Sequence, residues 1–207
     1  HVSAVQKDPK TYEHVDPEEV GNSRNIVVSD QAGQSNIMSR LKLIGIHIEK
    51  TDPKIKKLLA EVKDREFIGY SYDGADASFE LLARRLIGDI PRYILINEYD
   101  VSVKKDSTGE IVSYAKAQLV VDGQKILCEG QGNGPVNALD NAIRKNVNKL
   151  AKYSEYLKDL KLVDYKVRIL NTGTEATTRV SIESTGSQGK NWFTIGVSPN
   201  ILDASFK

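Results

Sequence analysis

An α+β fold is predicted for these 207 residues by three observations. Apolar residues recur at helical spacing from Ser35 to about Gly88, they alternate after Pro91, and the alternating stretch runs into a helix start twice. The expected architecture is a small helical linker subdomain followed by two βββα repeats with pseudo-twofold symmetry. Each repeat would leave an apolar sheet face for the other to cover.

Residues 1–34 hold turn formers (Asp8-Pro9, Asp16-Pro17, Gly21-Asn22, Gly33) around one short apolar run, Asn25 to Ser29, and read as a connecting arm that needs a neighbour to pack on. Residues 35–90 read as the helical subdomain. Ile37, Leu41 and Ile44 mark a first helix ending at Gly45; Asp52 as N-cap and Pro53 in the first turn open a second, with Ile55, Leu58, Leu59 and Val62 on one face. A third starts near Asp73-Gly74, repeats Ala75, Phe79, Leu82 and Leu86, and is stopped by Gly88 and Pro91.

Residues 91–207 read as the two repeats. Ile94, Ile96, Val101 and Val103, then Ala115, Ala117, Leu119 and Val121, then Ile126 and Cys128 form three strands, with turns at Ser107-Thr108-Gly109 and Asp122-Gly123. One long helix follows from Pro135, with Val136, Leu139, Ile143, Val147 and Leu150 inward. The second copy runs through Tyr165, Val167 and Ile169, then Val180 and Ile182, then Phe193, Ile195 and Val197. Asn137-Ala138-Leu139-Asp140 matches Asn200-Ile201-Leu202-Asp203 after turns containing Pro135 and Pro199.

Charge excludes several functions. Lys plus Arg number 29 against 28 acidic residues, which provides no footprint for nucleic acid or an anionic membrane. Lys104, Lys105, Arg144, Lys145, Lys149 and Lys152 on a βββα unit raise double-stranded RNA binding as an alternative; a solvated face opposite the apolar stripe accounts for them, and Glu155, Asp159 and Glu175 argue against RNA. A single cysteine, Cys128, fits a reducing compartment, and no apolar stretch is long enough to span a bilayer, so a soluble cytoplasmic protein is expected. The chain opens at His1 with neither a signal nor a transit peptide, which suggests that something upstream has been removed. His1, His14 and His47 are too scattered for a metal site, so no metal and no cofactor are expected within these residues.

Three stretches carry a family likeness. TYEHVDP, VGNSR and VSDQAGQSN in the arm, GYSYDGADASFELLARR from Gly69 to Arg85, and EGQGNGPVNALDNAI with LVDYKVRIL resemble the C-terminal arm, helical subdomain and regulatory domain of the citramalate synthase and 2-isopropylmalate synthase family. HVSAV, YEHVDP and ADASFELL lean toward the citramalate branch. The resemblance implies a parent enzyme whose TIM barrel, absent here, condenses acetyl-CoA with a 2-oxo acid on a divalent metal. It implies that the fragment alone is inactive, and that the regulatory domain forms a homodimer and binds a branched-chain amino acid, isoleucine or leucine. By the same resemblance His1 and Tyr12 match a histidine and a tyrosine that the arm inserts into the active site of the other subunit, as catalytic groups in trans; on the residues alone each is equally a surface or packing residue.

Gly130, Gly132 and Gly134 form a glycine-rich turn between a strand and a helix. Pro135 stands where a dinucleotide fingerprint needs its third glycine, and hairpins replace the parallel unit, so that reading is rejected. A tight turn explains the glycines in part. A helix start also offers N–H groups and a positive dipole end to a carboxylate, such as that of a free amino acid. Candidate effector contacts are therefore Gly132, Asn133, Gly134, Pro135 and Ala138 at the first start, Ser198, Pro199, Asn200 and Ile201 at the second, and Asp164 and Tyr165. Val136, Leu139 and Leu202 would add an apolar wall, and Asp140, Asp164 or Asp203 would meet the ammonium. A purely structural dimerisation module, with no ligand, is the other class that these residues allow.

Overall fold

The computed structural model describes residues 17–20, 33–88, 90–171, 173 and 176–207. His1, Tyr12 and His14 lie outside the described residues, and of the arm only the short 3-10 turn Pro17–Val20 and Gly33 fall within them.

The helical segment forms α1 (Gln34–Leu43), α2 (Pro53–Phe67) and α3 (Asp76–Ile87). Asp52 caps α2 by accepting the Lys54 N–H at 2.8 Å, with Pro53 in the first turn. Gly88 ends α3 in the left-handed region at φ 89°. Ile37 and Leu41, Ile55, Leu58 and Val62, and Phe79, Leu82 and Ala83 meet in one buried cluster. Arg40, buried on α1, pairs with Asp76 at the start of α3 and lies over the Phe79 ring, 5.3 Å from its centroid.

Tyr72 stands at the edge of this core, with its ring edge-on to Phe79 at 6.2 Å. Its hydroxyl is buried, and no described residue gives it a hydrogen bond of good geometry. Burial pushes the phenol up to about 12, against a smaller opposing pull from the Arg65 charge. The folded value lies above the ordinary one, so this contribution to stability is complete below about pH 10 and is lost as pH climbs through the folded value. An alkaline absorbance titration should show one of the nine tyrosines ionising after the others, and Tyr72→Phe should remove that late component. A titration unchanged by the substitution would contradict this placement.

Two antiparallel three-stranded sheets follow: β1 (Ile94–Lys105), β2 (Ile111–Val121) and β3 (Gln124–Gly132), then β4 (Lys161–Ile169), β5 (Thr178–Thr185) and β6 (Asn191–Ser198). Between them run α4 (Pro135–Val147) and α5 (Ala151–Leu157), and α6 (Ile201–Phe206) ends the chain. The duplication is visible in the cross-strand rows. Ile96–Leu119–Ile126, Tyr99–Ala117–Cys128, Val101–Ala115–Gly130 and Val103–Ser113–Gly132 on the first sheet correspond to Leu162–Ser184–Trp192, Tyr165–Ile182–Thr194, Val167–Val180–Gly196 and Ile169–Thr178–Ser198 on the second. Each sheet has a bulge at the same place, between Ile96 and Glu98 in β1 and between Leu162 and Asp164 in β4. The bulge explains the slip from even to odd apolar positions within β1, since an extra residue keeps Ile96 and Val101 on one face.

Three details differ from the sequence expectation. The single helix from Pro135 stops at Val147, where the Lys149 and Leu150 N–H groups bond back to Asn146 and Val147, and helix resumes at Ala151. The repeat is also registered differently. Gly134 caps α4 and Asn200 caps α6, and Gly130 corresponds to Gly196, so Asn137 in the first turn of α4 has no equivalence to the cap residue Asn200. The likeness of the two four-residue strings is coincidental. Finally, the sheets do not cover each other. The first is covered by α4 and α5, whereas Ile195 and Val197 of the second join the core of α1–α3.

Candidate functional site

The turn from β3 into α4 is built by close packing. A Cβ on Gly130 would fall on the Ala142 and Ala138 backbone, and one on Gly132 would fall on Asn137 and the Ala138 nitrogen, so both glycines let the helix lie against the strand. Ala138 and Leu139 are fully buried by this approach and line no open pocket. Gly134 differs: space around it is free and its backbone is extended.

The two helix starts are chemically unlike. The Asn200 side chain accepts the Leu202 and Asp203 N–H groups at 2.8 and 3.3 Å, so the start of α6 is closed by its own cap. The start of α4 has no side-chain cap. The Asn137 carboxamide turns outward instead and accepts the Asn133 N–H at 3.2 Å, leaving the first-turn donors beyond Pro135, on Val136 and Asn137, without a side-chain acceptor. Only the first start therefore retains donors for an anion. Asn133 is among the contacts expected from the sequence and Asn137 is not; an asparagine three residues after an N-cap glycine is the signal that marks it.

Acidic groups near these starts are already engaged. Asp140 accepts both Arg144 Nε contacts, at 2.7 and 2.9 Å. Asp203 pairs with Lys207 at 2.9 Å; burial works against its ionisation, but hydrogen bonds from Lys207 and Ser198 outweigh it and hold the carboxyl below its ordinary value. Asp164 pairs with Lys166 at 2.6 Å, and this bond lowers its pKa. Asp164 shares a sheet face with Lys166, while Tyr165 points to the opposite face, where its hydroxyl meets Ser205 of α6 at 2.7 Å. Asp164 is thus on the wrong side of the sheet to reach the start of α6 in its own chain. Ser198 is buried and accepts the Asn200 N–H at 3.2 Å, Pro199 and Ile201 are exposed, and no hydrogen bond or ion pair among the described residues links the two starts.

A cavity of about 700 Å³ lies elsewhere, between α2, α3, α6 and the second sheet. None of the candidate effector residues lines it. Among the described residues no three His, Cys, Asp or Glu side chains cluster, so they offer no seat for the divalent metal that the resemblance implies for a barrel. No helix among them is long and apolar enough to cross a membrane.

Residues 73–207, which include both sheets and the open start of α4, match the family described as the LeuA allosteric (dimerisation) domain. The chain belongs to the LeuA allosteric domain family. Residues 1–67 match the homocitrate synthase post-HMGL domain-like family. Among relatives of the LeuA domain chain, an (R)-citramalate synthase of Synechocystis sp. is 45% identical over 213 residues, one of Aquifex aeolicus 45% over 209, and one of Geobacter sulfurreducens 42% over 210. Each covers the whole of this chain, which spans only 38 to 39% of those proteins. The kinship read from the sequence strings is upheld.

Proposed function

We propose that these 207 residues are the regulatory portion of a citramalate synthase, organised as arm (1–34), helical linker (35–90) and amino-acid-binding and dimerisation domain (91–207). The observation that carries it is an uncapped α4 start, with free N–H donors and a free approach at Gly134, inside a LeuA allosteric domain. The ligand is a branched-chain amino acid, isoleucine in this reading, with its carboxylate on the Val136 and Asn137 N–H groups. A homodimer brings the remaining candidates, Asp164 among them, from a second copy.

The parent reaction in this reading is a Claisen-type condensation of acetyl-CoA with pyruvate. Its divalent metal and substrate pocket lie in a barrel outside these residues, and the setting is cytoplasmic. His1 and Tyr12 serve that site in trans; alanine at His1 and phenylalanine at Tyr12 should lower turnover of the intact enzyme while leaving amino-acid inhibition in place, and unchanged turnover in both would remove the assignment.

Calorimetry on the purified 207-residue chain tests the ligand. Isoleucine should bind more tightly than leucine or valine, and the same preparation should release no thiol from acetyl-CoA with pyruvate and magnesium. Tighter binding of leucine would turn the reading toward 2-isopropylmalate synthase. A folded dimer that binds none of the three would leave a dimerisation module without a ligand.

A further inference from the structure

Asparagine followed by glycine is the dipeptide in which the backbone nitrogen of the second residue most readily attacks the side-chain carboxamide of the first, because no Cβ stands in the way. Asn133-Gly134 is the one such pair in the 207 residues, and it lies just before α4. The structure leaves both reacting groups free. Asn133 is exposed, and its carboxamide makes no hydrogen bond among the described residues; the bond that fixes this residue is its backbone N–H, donated to Asn137 Oδ1 at 3.2 Å. The Gly134 N–H donates to no described residue. Apart from its chain neighbours, no atom lies within 4 Å of the place where a Cβ would stand on Gly134.

The neighbouring asparagines are held where Asn133 is not. Asn137 Oδ1 accepts from the Asn133 N–H and from Asn141 Nδ2, and Asn141 Nδ2 also donates to the Gln131 carbonyl at 2.9 Å. The Ala138 nitrogen, which would have to attack Asn137, is bonded to the Gly134 carbonyl at 2.9 Å, and Ala142, which follows Asn141, lies within α4. At Gly134, by contrast, the positive end of a helix of 13 residues favours negative charge. The attacking nitrogen gains that charge on losing its proton, and a carboxylate product keeps it.

We propose that Asn133-Gly134 is a site of spontaneous deamidation, and that the modification closes the start of α4 to an anionic ligand. The deprotonated Gly134 nitrogen attacks Asn133 Cγ and a C–N bond forms. The carboxamide nitrogen leaves with a proton as ammonia, which gives a five-membered succinimide. Water then opens the ring. Attack at the side-chain carbonyl carbon leaves aspartate, and attack at the backbone carbonyl carbon leaves isoaspartate, with the chain running through the former side chain; nothing is oxidised or reduced. Either product puts a carboxylate one residue before the N-cap, beside the donors on Val136 and Asn137. The loss of ligand rests on the amino-acid reading of this helix start, whereas the deamidation does not.

The test incubates the purified 207-residue chain at mildly alkaline pH, where a larger share of the amide nitrogen is deprotonated, and samples it over days. Trypsin releases Ile126–Arg144, which contains Asn133, Asn137 and Asn141, so fragmentation of one peptide by mass spectrometry compares all three. Asn133 should exchange amide for carboxylate well before the other two. Gly134→Ala, which adds a Cβ beside the nitrogen, should slow the exchange by about tenfold or more. An Asn133 that stays intact in the folded chain while a urea-unfolded sample loses its amide would overturn the site, as would equal rates at the three asparagines. Calorimetry reads the closure. The aged chain and the mimic Asn133→Asp should each bind isoleucine about fivefold more weakly than the fresh chain, the effect of one exposed charge at a helix start, and saturating isoleucine should slow the deamidation. Unchanged affinity in an aged chain whose fresh form binds would overturn the closure. A fresh chain that binds no amino acid would remove the closure together with the reading of the helix start, while the mass measurement decides the deamidation by itself.

Discussion

Replacing Gly130 with valine is expected to lower the stability of the chain by about 3 kcal/mol, the upper end of the usual cost of overpacking. The reason is that the obstacle is backbone. A Cβ at this position would stand 2.7 Å from the Ala142 Cα and 2.8 Å from the Ala138 carbonyl oxygen, and a helix cannot retreat from a strand as a side chain turns aside. Moving α4 outward would also loosen Leu139 and Ala142, both fully buried. The same substitution at Gly134, where no atom lies within 4 Å, should change stability by less than about 1 kcal/mol. Urea unfolding followed by circular dichroism measures both. Equal midpoints for the two variants would show that α4 does not sit on β3 as closely as described.

The second large effect concerns ligand affinity. Gly134→Asp should weaken isoleucine binding at least tenfold while leaving stability unchanged or slightly raised. An aspartate at an N-cap is among the preferred residues, and its carboxylate would take the N–H groups of Val136 and Asn137 as Asn200 does at the start of α6. It would also set a negative charge where the ligand brings its own. Gly134→Ala is the control, since it adds bulk without an acceptor and should retain affinity. Calorimetry on both variants decides; an unweakened Gly134→Asp would show that the amino acid binds elsewhere in the chain.

Much of the fold was legible because local chemistry and tertiary packing agree. Asp52 and Pro53 open α2 and Gly88 closes α3 as their residue types dictate, and the turn at Asp122-Gly123 has the positive φ values, 49° and 81°, that its composition suggests. The break at Asn148 was hidden, because Val147 and Leu150 continue the helical apolar spacing while both simply pack on the same core. The register of the repeat was misread for a related reason. Three matching letters of four outweighed the cap geometry, which only the side-chain bonds of Asn137 and Asn200 reveal. At the candidate site, glycine spacing located the helix start, but the chemical difference between the two starts depends on where two asparagine side chains turn, and composition does not specify that.

The joining of α3 to β6 reaches beyond regulation, to solubility. β6 is an outer strand, and the Ser78 hydroxyl on α3 accepts the Ile195 N–H at 2.9 Å. A few residues away, Arg179 Nε donates to the Gly69 carbonyl at 2.6 Å. The helices thus shield part of a strand edge that would otherwise present unpaired backbone groups beside Ile195 and Val197. A shortened chain beginning at Pro91 would expose that edge and its apolar side chains together, a combination that templates strand addition between molecules and ends in aggregates.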